Sequence, residues 1–171
     1  RIRSAHRHLY THRSGKWATF YADDAKAAQL QFLDRHLRGR EVPSLPTVRL
    51  EVRDSADHIV EVREEHEWPL ARTVWTPRHL GDAGLTEDPP TEEGSLTFPI
   101  RRGGAGFGWT VPRDLEFTGP MALRLHVSVE GTDDVDLVVG VEKWRDGAYV
   151  GFEGSYGYGR DRVATGWLSA S

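Results

Sequence analysis

The sequence changes its hydrophobic period at two prolines, and this change constrains the fold more than any other feature. After Pro43 and Pro46, the apolar residues Val48, Leu50 and Val52 alternate with charged residues. This is the period-2 pattern of a strand with one face in water. Later apolar stretches are short and are separated by glycine- and proline-containing turns. The pattern predicts a mainly β fold, an antiparallel β-sandwich or jelly roll.

The short apolar stretches after the prolines are each long enough for one strand. The stretch 48–53 and the residues Ile59, Val60 and Val62 flank a turn-like segment, which predicts a β-hairpin. Further strands are predicted at Arg72–Thr76, Leu96–Ile100, Met121–Glu130, Asp136–Trp144, Tyr149–Glu153 and Val163–Ser169.

One clear helical pattern precedes the prolines. Leu30, Leu33 and Leu37 recur at spacings of three and four, so they form one apolar face of a helix over about residues 24–38. The pair Asp23-Asp24 supplies a side-chain acceptor that can cap the free amides of the first turn.

Composition and charge exclude several classes of function. The chain has 38% hydrophobic and 28% charged residues, as soluble globular proteins do. A net charge of −4 provides no field that would recruit nucleic acid or an anionic membrane. The absence of cysteine excludes disulfides, thiolate nucleophiles and cysteine-ligated zinc. No run is as long as the roughly 18 apolar residues of a membrane span. We expect no nucleic-acid or membrane partner.

The two ends of the sequence suggest a piece of a longer protein. Residue 1 is an arginine, and Met121 is the only methionine. The last residues, 166–171, are typical of a strand interrupted in mid-course. We therefore expect that an amino-terminal part of the protein is missing. No signal peptide opens the chain, so we expect a cytoplasmic location.

Three histidines near the start are the candidates for chemistry. His6, His8 and His12 are compatible with a metal cluster, a solvated basic loop or a general base. A hydrolase histidine suits a loop that follows a core strand. His12 fits this best, because Leu9-Tyr10 can end a strand and Gly15 relaxes the loop after it. No carboxylate accompanies the cluster, so a metal site is the weaker interpretation.

Other possible sites are weaker. No Gly-x-Ser-x-Gly motif is present, so the chain contains no nucleophile elbow and no complete Ser-His-Asp triad. Asp133, Asp134 and Asp136 offer oxygen ligands for Ca²⁺ but also fit turn ends. The tryptophans are compatible with a sugar-binding platform or with ordinary packing. We expect no metal ion and no cofactor.

Several segments together resemble a known family. They are residues 12–17 with the following helix, Glu67–Ala71, Phe117–Pro120 and Gly166–Ser169. Their order is similar to that in the CocE/NonD hydrolases, the cocaine-esterase-like and Xaa-Pro-dipeptidyl-peptidase-like enzymes. The resemblance implies that residues 1–42 are the tail of an α/β-hydrolase catalytic domain. Residues 43–171 would then be a truncated, galactose-binding-like jelly-roll domain.

The resemblance also implies a function. The parent would be a serine hydrolase of ester, amide or X-Pro peptide bonds, with His12 as the general base. Its serine and acid would precede residue 1, in the missing catalytic domain of the same parent. Thr11 and Arg13 flank His12 where better-known members have Trp and Gly, so His8 and His6 stay open as alternatives. A non-catalytic carbohydrate-binding or structural jelly roll is the rival hypothesis, and the sequence leaves the oligomeric state open.

Overall fold

The computed structural model describes residues 3, 7–11, 16–152 and 161–170. The chain divides into two compact units. Unit 1 consists of Arg1–Trp68 and Ala122–Ser171, and unit 2 consists of Pro69–Met121. The domain boundary expected near residues 42 and 43 stays a prediction.

The described residues form short helices and strands that antiparallel pairing links into two-stranded sheets. Unit 1 contains two helices, α1 (Lys16–Phe20) and α2 (Asp23–Leu37), and the strands β1 (Val48–Arg53), β2 (Ile59–Glu65), β5 (Val135–Val141), β6 (Lys143–Arg145), β7 (Ala148–Val150) and β8 (Ala164–Ala170). Unit 2 contains β3 (His79–Gly81) and β4 (Gly84–Thr86).

The predicted helix is confirmed within a residue at each end. Its amino-terminal cap differs from the expectation, because the capping position is held by Ala22, which makes no side-chain hydrogen bond. The aspartates lie one step further on, in the first turn, where negative charge favours the helix dipole. Gly39 ends the helix with a φ of 62°, a left-handed conformation that glycine adopts without a steric penalty.

The apolar face of α2 lies in solvent. Leu30, Leu33 and Leu37 are 57%, 44% and 77% exposed. The residues that α2 buries are instead Ala25 and Asp34. The sequence therefore predicts the face of the helix correctly, and the described part of the chain does not cover it.

Three antiparallel pairs build the sheets of unit 1. β1 pairs with β2 as the predicted hairpin. β5 pairs with β8 along seven residues of each strand, so two of the predicted strands meet across a long stretch of sequence. β6 and β7 form a tight hairpin whose turn residues, Asp146 and Gly147, both have positive φ, as a type I′ turn requires.

Three predicted strands are wrong. The stretches Arg72–Thr76, Leu96–Ile100 and Met121–Glu130 form no strand. A strand needs a neighbouring strand to pair its backbone groups, and the strand pairs of the described residues do not include these stretches.

Unit 2 contains a hairpin that the sequence did not predict. β3 and β4 pair across a two-residue turn. Gly84 follows this turn with a φ of 114°, and a side chain there would collide with the carbonyl oxygen of Gly108. Leu85 donates its N–H to that same oxygen at 2.8 Å. This close approach of two backbone segments requires the glycine.

The mainly β, antiparallel fold class is confirmed. The described strands form separate two-stranded sheets, so the jelly-roll arrangement stays a prediction. Neither helix in the described ranges has the length and apolar character needed to span a bilayer.

The β5–β8 pair carries an uncovered apolar patch that we expect to drive self-association. Val138 and Trp167 are cross-strand partners and are 76% and 80% exposed. Paired apolar side chains on an open strand pair are an aggregation site. Replacing both with threonine should lower the amount of oligomer in sedimentation velocity at equal protein concentration. Thr165→Ser, on the same strand, is the control, and an unchanged oligomer content in the double variant would contradict the expectation.

Candidate functional site

Residues 7–11 lie along α2 and present alternate side chains to it. The His8 ring meets Phe32 edge-on, with ring centroids 5.3 Å apart. The Tyr10 hydroxyl donates to Asp24 Oδ2 at 3.0 Å, whereas Leu9 between them is 89% exposed. Burial, followed by the hydrogen bond to the Asp24 carboxylate, raises the pKa of Tyr10, so the phenol stays protonated and donates.

His8 is the candidate histidine whose surroundings the structure describes. His12 and His6 lie outside the described residues. The assignment of His12 as general base therefore stays a prediction, and His8 is the alternative for which a geometry can be given.

His8 opens onto a surface cleft of about 200 Å³. The cleft is formed by the segment around His8, one face of α2, and the chain that returns past the end of the helix. The residues that line it are His8, Gln31, Phe32, Arg35, His36, Pro43, Ser44 and Leu45. Four of them come from α2 at spacings of one, three and four residues, which place them on one face of the helix.

Hydrogen bonds from the helix hold the returning chain in place. Gln31 Nε2 donates to the Pro43 carbonyl at 2.7 Å. Arg35 Nη1 donates to the Val42 carbonyl at 3.0 Å. The Phe32 ring also packs against His36, with ring centroids 4.6 Å apart. The Phe32 ring therefore contacts both imidazole rings that line the cleft.

A buried carboxylate anchors the end of α2. Asp34 is 7% exposed, and its two oxygens accept from Arg38 Nη1 at 3.0 Å and from Arg40 Nη1 at 3.1 Å. Burial raises the pKa of Asp34, but the hydrogen bonds and charges of the two arginines outweigh it and hold the pKa below its usual value. The Arg40 N–H also donates to the Asp34 carbonyl at 3.0 Å.

The Asp34 clamp predicts loss of helix stability in acid. Because the folded pKa is lowered, the carboxylate stabilises the fold above its unfolded pKa of about 3.9 and loses that contribution as the pH falls through the folded value. Far-UV circular dichroism should show this acid loss in the unaltered chain, whereas Asp34→Asn should start lower at pH 7 and depend less on pH. Asp23→Asn, at an exposed position, serves as the control. Identical acid profiles for Asp34→Asn and the unaltered chain would contradict a stabilising role of the Asp34 carboxylate.

A second polar cluster surrounds Asp54 at the turn between β1 and β2. Its carboxylate accepts from Arg145 Nη2 at 3.1 Å and contacts His58 Nδ1 at 2.9 Å. Its backbone carbonyl accepts from Lys143 Nζ at 2.7 Å. The hydrogen bond from Arg145, then that from His58, holds the pKa of Asp54 below its usual value.

The Asp54 cluster fixes the β1–β2 turn to the β6–β7 hairpin. Ala56 N–H donates to the Gly151 carbonyl at 2.8 Å, and Arg53 Nη1 donates to the Phe152 carbonyl at 3.1 Å. Sequence reasoning missed this cluster, and the Asp54 and His58 pair across the turn is its only local signal. The His58 ring contacts the Asp54 carboxylate, and this contact joins the two ends of the turn.

Phe152 packs beneath this cluster and should be a principal source of stability in unit 1. It is 8% exposed, and Lys143 Nζ lies 5.6 Å from its ring centroid. Phe152→Ala should lower the free energy of unfolding by about 3 kcal/mol, because a buried aromatic side chain is lost. Urea unfolding measures the change. Phe98→Ala, at a 46% exposed position, should lower the free energy of unfolding by clearly less. Equal losses in the two variants would contradict the stabilising role of the buried Phe152 ring.

The other candidate sites stay unsupported. The described residues contain no group of three histidine, cysteine or acidic side chains arranged for a metal ion. Asp136 instead accepts a hydrogen bond from Ser169 across the β5–β8 pair. Two of the tryptophans have contacts within their own units: Arg78 lies 4.4 Å from the centroid of the Trp109 ring, and Trp144 meets Tyr149 edge-on.

Comparison with known proteins finds one matching family and one similar enzyme. Residues 102–171 match the family described as the X-Pro dipeptidyl-peptidase C-terminal non-catalytic domain. A cocaine esterase from Rhodococcus sp. (strain MB1 Bresler) is 41% identical over 85 residues. That alignment covers 48% of this chain and 14% of the esterase. No solved structure matches the chain.

The family that residues 102–171 match is a β-sandwich domain that is described as non-catalytic. The match of residues 102–171 to this family and the identity to an esterase confirm the predicted resemblance to the CocE/NonD hydrolases.

Proposed function

We propose that this chain is part of a serine hydrolase that cleaves ester or amide bonds, including X-Pro peptide bonds. The observation that carries the proposal is the family match of residues 102–171, together with the identity to an esterase. The β-rich part would support the active site of the catalytic domain of the same parent, which is its proposed partner. A cytoplasmic location is the expectation for this parent.

In the proposed mechanism the chain supplies the general base. The serine of the catalytic domain attacks the substrate carbonyl, and the imidazole of His12 takes its proton and later returns it to the leaving group. Such a base must be held at a defined position yet remain free to move a proton.

The packing of residues 7–11 supports this role for the neighbouring residue His12. The contact between His8 and Phe32 and the hydrogen bond from Tyr10 to Asp24 fix the chain immediately before it. These contacts would set where the loop begins relative to α2. A base on this loop would then depend on the helix for its position.

His8 is the alternative base. It is exposed and opens onto the cleft described above. Its ring rests against Phe32, and an aromatic contact orients an imidazole less strictly than the carboxylate of a triad does. The resemblance, and not this contact, is the reason for preferring His12.

The test uses the longest natural polypeptide that contains this chain. Its kcat for a nitrophenyl ester and for an X-Pro nitroanilide should fall about 10⁴-fold in His12→Ala, because a triad member is lost. His66→Ala, at an exposed position on the same chain, is the matched control and should leave kcat unchanged.

The alternatives predict different outcomes. A large loss in His8→Ala with full activity in His12→Ala would assign the base to His8. Full activity in both variants, and in His6→Ala, would reject a catalytic histidine in this chain. Absence of hydrolysis by the polypeptide, with specific binding on a glycan array, would favour the carbohydrate-binding role.

A further inference from the structure

The turn between β6 and β7 holds the one aspartate-glycine pair of the sequence. Asp146 is followed by Gly147, and the sequence contains no asparagine. An aspartate before a glycine is prone to cyclise onto the next backbone nitrogen, because glycine has no side chain that would shield that nitrogen. The sequence therefore favours this reaction at Asp146 more than at any other position.

The surroundings of Asp146 leave its carboxyl group available. Both turn residues are exposed, and no atom beyond the adjoining residues lies within 4 Å of the place where a side chain of Gly147 would begin. In the part of the chain that the structure describes, no hydrogen bond or ion pair reaches the Asp146 carboxylate. The adjacent Arg145 guanidinium binds Asp54 instead.

The hairpin that holds this turn is short enough to open locally. Asp146 and Gly147 have φ values of 51° and 76°, and this turn keeps its shape only while the two strands are paired. Cyclisation needs the Gly147 nitrogen to swing toward the Asp146 side chain, so the turn has to open first. β6 and β7 pair along three residues each, and a ladder of this length opens at a low free energy without global unfolding.

We propose that Asp146 is a site of spontaneous isomerisation to isoaspartate in the folded chain. The Gly147 nitrogen attacks the side-chain carboxyl carbon of Asp146, and a carboxyl oxygen leaves as water together with the amide proton. The product is a five-membered succinimide ring. Water then adds to either carbonyl of the ring, which restores aspartate or leaves the backbone running through the side chain as isoaspartate. One water is lost and one is gained, so the two products are isomers.

The isomer disconnects the β6–β7 hairpin from the Asp54 cluster. It adds one carbon to the backbone of the turn, and a two-residue turn of this type does not accommodate it. Lys143 and Arg145 of β6, which bind Asp54, then lose their fixed positions. The Ala56 N–H, which donates to the Gly151 carbonyl at 2.8 Å, becomes more accessible to solvent.

Asp54-Ser55 is the internal comparison. Serine is also small, but the Asp54 carboxylate is bound by Arg145 and His58. Its hydrogen bonds have to break before the carboxyl group can react. In the folded chain Asp54 should therefore isomerise at least about tenfold more slowly than Asp146, because the rate follows the population of the open form.

Peptide mapping of the 171-residue chain after incubation at neutral pH tests the proposal. Isoaspartate should accumulate in the peptide that contains residues 145–149, with its mass unchanged. In water enriched in heavy oxygen the same residue should gain one heavy oxygen atom, because the ring is opened by solvent. In urea, where both turns are unfolded, Asp54 and Asp146 should isomerise at comparable rates.

Matched variants separate the turn from general ageing of the chain. Asp146→Glu keeps the charge but would have to form a larger and less favoured ring, so it should give no detectable isomer at this position. Asp57→Glu, at another exposed position, should leave the accumulation at Asp146 unchanged. Urea unfolding checks that both variants keep the fold.

Three results would overturn the proposal. The first is no isoaspartate at Asp146 in the folded chain, which would mean that the hairpin protects the pair. The second is an equal rate at Asp54 and Asp146 in the folded chain. The third is unchanged hydrogen exchange of the Ala56 amide in the isomerised fraction, which would overturn the link between the turn and the Asp54 cluster.

Discussion

The stability of this structure depends on how much of its apolar surface is removed from water. Among the described residues, the buried apolar side chains are Ala25, Leu70 and Phe152. Burial of apolar area is the main favourable contribution to folding, so such a small core contributes little by itself. The uncovered face of α2 and the patch on the β5–β8 pair are the places where further apolar contacts would add most.

Polar contacts between distant segments therefore organise unit 1. The Asp34 carboxylate binds two arginines, the Asp54 carboxylate binds Arg145 and His58, and the pKa values of both carboxyl groups are lowered. Asp54 joins a turn to a hairpin about ninety residues away along the chain. Asp34 closes the end of α2, where the chain turns back to form the cleft. The two clusters position the elements that the small core does not hold.

Local periodicity predicted α2, the β1–β2 hairpin and the strands β5 and β8, but it missed the short β3–β4 hairpin. The leucine spacing identified α2, and alternation identified β1 and β2. The strands predicted at 72–76, 96–100 and 121–130 were wrong. An alternating pattern indicates which side chains would share a face, but it does not show whether a partner strand is present. His8 was a predicted candidate. The cleft was missed because it forms only when the chain that follows α2 turns back and brings Pro43 close to Arg35. The Asp54 cluster was missed for the same reason, as its partners are remote in sequence.

We propose that a catalytic domain of the same parent covers the apolar faces of α2 and of the β5–β8 pair. Hydrogen exchange of the amides of α2 and β8 tests it most directly, in the isolated chain and in the longest natural polypeptide that contains it. Slower exchange of both elements in the longer polypeptide, with unchanged exchange in the β3–β4 hairpin, is the predicted result. Equal exchange of α2 and β8 in the two proteins would contradict the claim.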